Sequence, residues 1–306
     1  MIVSASVRTD IPAFYGPWFR NRFRAGFARV ASPYGGPVST VPLRQGVDGM
    51  MFWTRNIGPF LPMLDEVAEA GMPFIVQYTV TGYPRALESS VVGSCRSVSL
   101  IRQLAERFGP RAVVWRYDPI VVSDLTPPAW HVNNFTALAR TLEGSVDEVV
   151  VSFVQSYRKT ARNMATATQA HGFTWGDPAT EEKRQAIARL ADIARGFGMA
   201  LTLCTQPDLA IEGVAAARCI DAQRLADVAG HPIIAKTKGN RPGCLCAESR
   251  DIGAYDSCPH GCAYCYAVNR PGLAKARFHA HDPLAEMLVP GDGDGMALQT
   301  PGPSLL

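Results

Sequence analysis

The chain has no long apolar run and no strong excess of charge of either sign. No stretch approaches the roughly 18 consecutive apolar residues of a membrane helix, which argues against a membrane partner. Residues 1–5 predict a strand instead of a signal peptide, so we expect a cytoplasmic protein. With 30 Lys and Arg against 27 Asp and Glu, the formal charge is only +3. This balance gives little support to nucleic-acid binding, which a strongly basic surface would indicate.

Three common catalytic signatures are also missing: the phosphate-binding loop, the G-x-S-x-G elbow and the H-E-x-x-H motif. What the chain does have is 306 residues, 47% of them hydrophobic, and eight cysteines. Five of the eight cysteines lie between residues 244 and 265. Because cytoplasmic thiols stay reduced, such crowding indicates a metal site in preference to disulfides.

Short apolar runs alternate with helical stretches, which is the pattern of βα units around a parallel sheet. The predicted strands are Ile2–Ser6, Met50–Thr54, Phe74–Thr81, Ala112–Pro119, Glu148–Val154, Met199–Cys204, Arg218–Ile220 and Ile233–Lys236. The predicted helices are Pro17–Val30, Phe60–Ala70, Ser97–Phe108, Trp130–Leu142, Glu181–Phe197 and Asp221–Ala229. Eight units predict an α/β fold of the TIM-like (β/α)8 barrel type, regular or irregular, over residues 1–240. A cysteine-rich segment, 241–288, would pack on the barrel mouth, and residues 289–306 have the composition of a disordered tail.

Polar residues recur toward the carboxyl ends of the predicted strands, where barrels build their active sites. Candidate catalytic residues there are Arg8, Asp10, Arg116, Asp118 and Lys236. Arg8 and Asp10 would clamp a carboxylate or an amino group, and Lys236 would neutralise an anion. The structural alternatives are a helix cap for Asp10 and a buried hydrogen-bonded pair for Arg116 and Asp118. Together these side chains predict a chamber for a small polar substrate.

A second polar and aromatic group follows the predicted strand at Met50–Thr54. Trp53, Arg55 and Asn56 would form a stacking and hydrogen-bonding wall against an adenine or another base. The alternative for Trp53 is an ordinary place in the core.

The strongest local motif is Cys258-Pro-His-Gly-Cys262-Ala-Tyr-Cys265, a C-x3-C-x2-C spacing. Three thiolates on one short loop can hold three irons of a [4Fe–4S] cluster and leave the fourth iron open. Zinc usually takes four protein ligands, so the trio suits it only if His260 or another cysteine joins.

Four other cysteines, Cys204, Cys219, Cys244 and Cys246, predict a second metal centre. Cys204 and Cys219 end consecutive predicted strands, so a barrel would bring both to the mouth that the segment 244–265 crosses. Four thiolates suit a second [4Fe–4S] cluster, which we favour, or a structural zinc ion. The alternative for Cys204 alone is a small core residue.

The triad spacing, with an aromatic residue before its last cysteine, resembles the signature of the radical S-adenosylmethionine superfamily. That resemblance implies cluster ligands at Cys258, Cys262 and Cys265, and it implies that Tyr264 packs near the adenine of S-adenosylmethionine. The triad of that superfamily follows the first barrel strand, so its late position here implies a circular permutation in which the segment before Cys258 acts as strand one.

Longer segments resemble an uncharacterised bacterial family, the domain of unknown function 1848, and this resemblance implies an iron–sulfur or radical S-adenosylmethionine relative. The resemblance runs from residue 1 to about residue 288 and is carried by SASVRTDIP (4–12), FWTRN (52–56), WRYDPI (115–120) and DIGAY (251–255).

We therefore expect an iron–sulfur enzyme, an oxidoreductase or a lyase, that uses one or two [4Fe–4S] clusters and S-adenosylmethionine to start radical chemistry. Its partners would be a small polar substrate and an electron donor such as ferredoxin or flavodoxin. Two alternatives stay open: an iron–sulfur redox or electron-transfer protein that does not use S-adenosylmethionine, and a zinc-stabilised module that binds nucleic acid or protein.

Overall fold

The computed structural model describes residues 1–33, 35–239 and 241–290. Its strands are β1 (Ile2–Ala5), β2 (Phe27–Val30), β3 (Ser39–Pro42), β4 (Gly49–Thr54), β5 (Phe74–Thr79), β6 (Val113–Ile120), β7 (Val122–Ser123), β8 (Glu148–Phe153), β9 (Trp175–Gly176), β10 (Ala200–Leu203), β11 (Ala215–Ala216) and β12 (Ser249–Asp251). Its α-helices are α1 (Ile11–Phe14), α2 (Gly16–Ala25), α3 (Leu61–Glu69), α4 (Ser94–Phe108), α5 (Pro128–Leu142), α6 (Arg158–His171), α7 (Thr180–Gly196), α8 (Ala222–Ala229) and α9 (Pro271–His279).

Eight of these strands form one parallel sheet in the order β11-β10-β8-β6-β5-β4-β1-β12. The short pairs β2–β3 and β7–β9 are antiparallel and lie outside it. The central strands are nearly continuous apolar runs because parallel strands are covered on both faces. The α/β class predicted from the alternating pattern is therefore confirmed. The strand β1 lies between β4 and β12, so the first and the last of the described strands are neighbours in one sheet.

The two faces of the sheet have different roles. On the helix-covered face, residues such as Phe52 and Trp115 join the large apolar core. On the other face lies a second apolar group, which we call the inner apolar group. It includes residues from five neighbouring strands: Ile2, Met51, Ile75, Val114 and Val150. On four of those strands the residue two positions further along is polar and buried: Ser4, Gln77, Arg116 and Ser152. On this face the strands are therefore apolar near their middle and polar toward their carboxyl ends.

The edge strands β11 and β12 are bordered by segments that contact each other. The N–H of Ala247, which precedes β12, donates to the carbonyl of Ile220, which follows β11, at 2.9 Å. We call this contact region, residues 217–220 and 244–247, the seam of the sheet.

Two strand predictions are wrong. The residues from Arg218 to Ile220 follow the strand β11 instead of forming one. The segment Ile233–Lys236 lies outside the main sheet: Ile234 is 94% exposed, and the chain pairs only through an antiparallel bridge between Thr237 and Ala247. The eighth strand is β12, whose sequence Ser-Arg-Asp carries no apolar signal.

One helix prediction is too long, and three of the described helices, including the short α1, have no predicted range. The helix expected to reach Val30 ends at Ala25, because Gly26 takes a left-handed φ of +83° and the hairpin β2–β3 begins there. The helices α6 and α9 were missed. None of the described helices is both long and apolar enough to cross a membrane. Most of the predicted disordered tail, from residue 291 onward, lies outside the described residues.

Candidate metal centre

The last residue of β12, Asp251, ties the segment that leads to the cysteines onto the end of β1. Its carboxylate accepts hydrogen bonds from the hydroxyl of Ser6 (2.9 Å), the N–H of Val7 (2.8 Å) and Nε of Arg8 (2.8 Å). The predicted catalytic residue Arg8 is thus the buried ion-pair partner of Asp251. This pair fixes the point from which the chain turns toward Cys258.

Gly253 follows directly and leaves no room for a side chain. A Cβ atom at this position would lie 1.8 Å from Oγ of Ser6. The close approach lets the N–H of Gly253 donate to Asp251 at 3.0 Å. Further on, the carbonyl of Ala254 accepts from the hydroxyl of Thr9 at 2.7 Å. The chain before the cysteines is therefore held against the residues that follow β1.

The three triad cysteines lie on one loop, residues 258–265, which we call the cysteine loop. Each is half-buried. Burial is the main cause that raises the pKa of Cys262 to about 12, and it also raises the pKa of Cys258 and Cys265. The charge of Cys265 further raises the pKa of Cys258 and of Cys262. The three sulfurs are therefore close enough to influence one another electrostatically. At neutral pH the thiols are protonated, so a metal would bind here with release of protons.

Backbone groups of the cysteine loop point at the sulfurs. The N–H of Ala267 donates to Sγ of Cys265 at 3.3 Å, and the N–H of His260 lowers the pKa of Cys258 against the effect of burial. Gly261 takes a left-handed φ of +70°, and a Cβ there would lie 2.2 Å from Oγ of Ser89. Hydrogen bonds from N–H to sulfur are among the features that tune iron–sulfur clusters.

His260, between the first two cysteines of the triad, has one satisfied and one unsatisfied ring nitrogen. Nε2 lies 2.7 Å from Oδ2 of Asp10. Nδ1 is buried and has no hydrogen-bond partner among the described residues. Histidines that bind metals commonly hold a carboxylate with the other nitrogen in this way. The imidazole is therefore oriented as a metal-site histidine would be.

Asp10, predicted as catalytic, joins three elements. Its carboxylate caps α1 by accepting from the N–H of Ala13 at 2.9 Å, and it also accepts from the N–H of Arg55 at 2.7 Å and faces His260. The predicted helix cap is thus present, and the same carboxylate also holds the cysteine loop.

Arg55 and Tyr264, both predicted to bind the cofactor, are bound to each other. Arg55 donates to the carboxylate of Glu88 and to the hydroxyl of Tyr264, each at 2.6 Å. Tyr264 also donates to Glu88, and the backbone of Glu88 pairs with that of Cys262 in an antiparallel bridge. Burial lowers the pKa of Arg55, but the charge and hydrogen bond of Glu88, together with Tyr264 and Cys262, raise it more, and the net direction is upward. The structure thus places an ion pair and a phenol directly behind the cysteine loop.

The predicted wall of Trp53, Arg55 and Asn56 is not a single surface. The amide oxygen of Asn56 accepts from the N–H of Gly58 at 3.2 Å and closes a turn. Trp53 is half-buried against the inner apolar group. Only Arg55 is adjacent to the cysteine loop.

Arg116 and Asp118 form the buried ion pair that the structural alternative predicted. Arg116 also donates to Oε1 of Gln77 at 3.0 Å and to Sγ of Cys219 at 3.1 Å, and Ser152 donates to Asp118. This network joins three strands on the polar side of the sheet. Lys236, by contrast, is exposed and lies outside the sheet.

The other four predicted metal ligands come together at the seam. Sγ of Cys204 lies 3.4 Å from Sγ of Cys219. Cys219 interacts with Cys246, and Cys246 interacts with Cys244. We call these residues the four-thiol group. Cys95, which sequence reasoning set aside, is exposed.

In the part of the chain that the structure describes, no three His, Cys, Asp or Glu side chains form a group that could hold one metal ion as they stand. A cubane cluster has a different requirement, because each thiolate binds its own iron and the sulfurs do not share one centre. The residues present fit such a cluster: the triad supplies three thiols, backbone N–H groups donate to sulfur, and Nδ1 of His260 is unpaired.

Sequence reasoning missed two residues of this site, Glu88 and Asp251. Both are buried or partly buried acids that hold an arginine. Asp251 precedes Gly253 in the segment that resembles the family, but no local pattern marks it as an anchor. Glu88 lies in a loop and accepts a hydrogen bond from Tyr264, which is 176 positions away in the sequence.

One family model matches the chain: a domain of unknown function, DUF1848, over residues 2–267. No curated protein matches, and no solved structure matches.

Proposed function

The chain belongs to the DUF1848 family, and we propose that it is an iron–sulfur enzyme of the radical S-adenosylmethionine type. The cluster would be a [4Fe–4S] centre on Cys258, Cys262 and Cys265. The observation that carries the proposal is the cysteine loop itself. Its three thiols are half-buried, two of them receive backbone N–H donors, and the loop follows the carboxyl end of the parallel strand β12.

The sheet order supports the circular permutation that the proposal needs. β12 pairs in parallel with β1, and the cysteine loop follows β12 closely. In a (β/α)8 barrel with β12 as its first strand, the triad would follow strand one, as in the superfamily. We propose that the seam closes the sheet into such a barrel, because Ala247 and Ile220 already join its two edges by a hydrogen bond of 2.9 Å.

When bound, the [4Fe–4S] cluster would supply the electron that cleaves S-adenosylmethionine, and an electron donor such as ferredoxin or flavodoxin would reduce it. The chain's own part is to hold and shield the site. The N–H of Ala267 stabilises charge on Sγ of Cys265, and Lys159 adds a positive charge that lowers the pKa of the same thiol. Both effects favour the thiolate that a metal requires.

The space for a substrate would lie between the cysteine loop and the network around Arg116. Tyr266 follows Cys265 directly, is nearly half exposed, and donates from its hydroxyl to the carbonyl of Val7, just after β1. Arg116, Asp118 and Gln77 offer donors and acceptors to a small polar substrate, and cytoplasmic conditions would keep the thiols reduced.

His260 supports a second candidate function, a closed cluster that only transfers electrons. Its unpaired, buried Nδ1 and its carboxylate-bound Nε2 are what a fourth protein ligand would need. With His260 on the fourth iron, S-adenosylmethionine would have no open site.

Anaerobic reconstitution separates these functions. We expect wild-type protein to bind about four irons and four sulfides at the triad. Addition of S-adenosylmethionine should change the electron paramagnetic resonance spectrum of the reduced protein, and 5′-deoxyadenosine should form. Cys258→Ala should abolish the signal, whereas Cys95→Ala, the matched control at an exposed cysteine, should keep it.

A spectrum that ignores S-adenosylmethionine, with no 5′-deoxyadenosine formed, would reject the radical enzyme. If His260→Ala then made that spectrum sensitive to S-adenosylmethionine, the closed electron-transfer cluster would be established in its place.

A further inference from the structure

The four-thiol group has no part in the function proposed above, although it gathers residues from three separate segments. Cys204 follows β10, Cys219 follows β11, and Cys244 and Cys246 belong to the segment that precedes β12. Three of the four are buried in the inner apolar group, and Cys244 packs beside them. Four cysteines gathered in one place are a common donor set for a structural zinc ion.

Polar groups are directed at these sulfurs. Arg116, itself only 5% exposed, donates to Sγ of Cys219 at 3.1 Å. Arg241 lies with its guanidinium 3.9 Å from Sγ of Cys204, and the N–H of Ile220 donates to Sγ of Cys246 at 3.4 Å. Cations and N–H donors directed at sulfur favour negatively charged thiolates over neutral thiols.

The backbone is also shaped to bring Cys244 inward. A Cβ atom on Gly239 would lie 2.2 Å from the carbonyl oxygen of Cys244 and 2.5 Å from its Cβ. Glycine at this position is therefore required for the segment around Cys244 to pack against the chain that precedes it.

We propose that Cys204, Cys219, Cys244 and Cys246 bind one zinc ion, as a structural site that holds the seam of the sheet together. A tetrahedral site with Zn–S bonds of about 2.3 Å has sulfur–sulfur edges of about 3.8 Å. The observed separation of 3.4 Å between Cys204 and Cys219 is close to such an edge. A cubane cluster would force the same two sulfurs much further apart, so the geometry favours a single ion over the second iron–sulfur cluster that the sequence suggested.

Zinc binding releases the protons of the thiols. The four thiols lose four protons, and Zn²⁺ with four thiolates carries a net charge of 2−, which Arg116 and Arg241 face. As the side chains stand, Cys204 contacts Cys219, Cys219 interacts with Cys246 and Cys246 with Cys244, so the four sulfurs form a series and do not surround one point. Zinc binding would draw the two ends of this series together.

The zinc ion would join the segments that follow β10 and β11 to the segment before β12, because each of them supplies at least one of its thiolate ligands. Because Asp251 ends β12 and leads to the cysteine loop, the ion would also hold the triad in place from a distance.

The test is metal analysis of the full chain, purified without oxygen, alongside three variants. We expect one zinc per chain in wild type and in Cys95→Ser. Cys246→Ser should hold less than about a tenth of that zinc at equal chelator concentration. The Cys258→Ala variant should keep its zinc while it loses iron, so failure of this site and failure of the triad give different results.

Two further measurements do not depend on a variant that folds. Wild-type protein stripped of zinc and titrated with Co²⁺ should develop the absorption of a tetrahedral thiolate site. Alkylation followed by mass spectrometry should modify the half-buried Cys244 only after a chelator removes zinc, and Cys95 at all times. Unchanged zinc in Cys246→Ser, loss of about four irons from it, or alkylation of Cys244 regardless of zinc would each overturn the proposal.

Discussion

Nε2 of His260 and Oδ2 of Asp10 are 2.7 Å apart, although the residues are separated by 250 positions. Through this contact the cysteine loop rests on a carboxylate that also caps α1 and fixes the backbone of Arg55. The position of the triad is therefore set by the first residues of the chain as much as by the cysteine segment.

Asp10→Ala should weaken both helix capping and metal binding. Loss of the cap costs about 1 kcal/mol, and His260 loses the acceptor that orients its ring. We expect lower stability in urea and a reduced iron content after reconstitution. Asp221→Ala is the matched control, because Asp221 caps α8 through the N–H groups of Gln223 (2.9 Å) and Arg224 (3.2 Å). Equal iron loss in both variants would show that general destabilisation, not the His260 contact, is responsible.

Gly253→Ala should displace the segment that leads to the cysteine loop. The new Cβ would meet Oγ of Ser6 at 1.8 Å, and Ser6 is held by Asp251. We expect a loss of about 1–3 kcal/mol in unfolding free energy, together with poor iron incorporation. Gly272→Ala serves as control: it lies in α9 with no atom within 4 Å of the new Cβ, so a gain of about 0.5–1 kcal/mol is expected. Normal iron uptake by Gly253→Ala would contradict the requirement for this close packing.

Glu88→Ala should destabilise the protein more than removal of the whole ion pair. Glu88 is 4% exposed, and without it Arg55 is left as a buried, unpaired charge. Breaking such a pair from one side costs about 3–5 kcal/mol, whereas an apolar replacement of both partners costs much less. Arg55→Met with Glu88→Leu should therefore recover most of the loss in a double-mutant cycle measured by urea unfolding. Additive losses would mean that Arg55 and Glu88 act independently.

His131 should make the protein less stable as the solution becomes acidic. Burial lowers its pKa from 6.5 to about 4, and its ring nitrogens contact Tyr117 (2.9 Å) and the carbonyl of Val121 (3.0 Å). Between these two values the unfolded chain binds a proton that the folded chain does not. The stabilisation is therefore fully present above pH 6.5 and is lost as the pH falls toward 4, by about 3 kcal/mol in all.

Urea unfolding at several values between pH 7 and pH 5 checks this effect in the range above most carboxylate titrations. His131→Gln should flatten the dependence of stability on pH in that range. An unchanged slope in the variant would show that other groups, and not His131, carry the acid sensitivity.

Much of the sheet could be predicted from the sequence, because six of its strands are apolar runs that a buried parallel strand requires. β12 could not, since Ser-Arg-Asp has no such run and is a strand only through its pairing with β1. The run Ile233–Lys236 has the right composition, but the chain there pairs only through a bridge at Thr237, and Ile234 is left in solvent while Ile233 and Ala235 pack inward. The composition of a segment shows whether it is compatible with a buried strand, but a strand forms only where a neighbouring strand can pair with it.

For the site, the predicted strand ends placed Cys204 and Cys219 at one edge of the sheet, and their sulfurs lie 3.4 Å apart although Cys219 follows β11 instead of ending a strand. The acids around the site could not be predicted in this way. Glu88 and Asp251 act through contacts with residues more than 170 positions away, and nothing in their immediate sequence distinguishes them from surface carboxylates.

The place of β1 in the sheet has a consequence for biosynthesis. A ribosome makes β1 before the other strands of this sheet, and the strand that covers its outer edge, β12, is made more than 240 residues later. Until then β1 has an open backbone edge, which is a site for aggregation in a nascent chain. The cysteine loop emerges directly after β12, so delivery of any metal to it would coincide with the step that finally protects this edge.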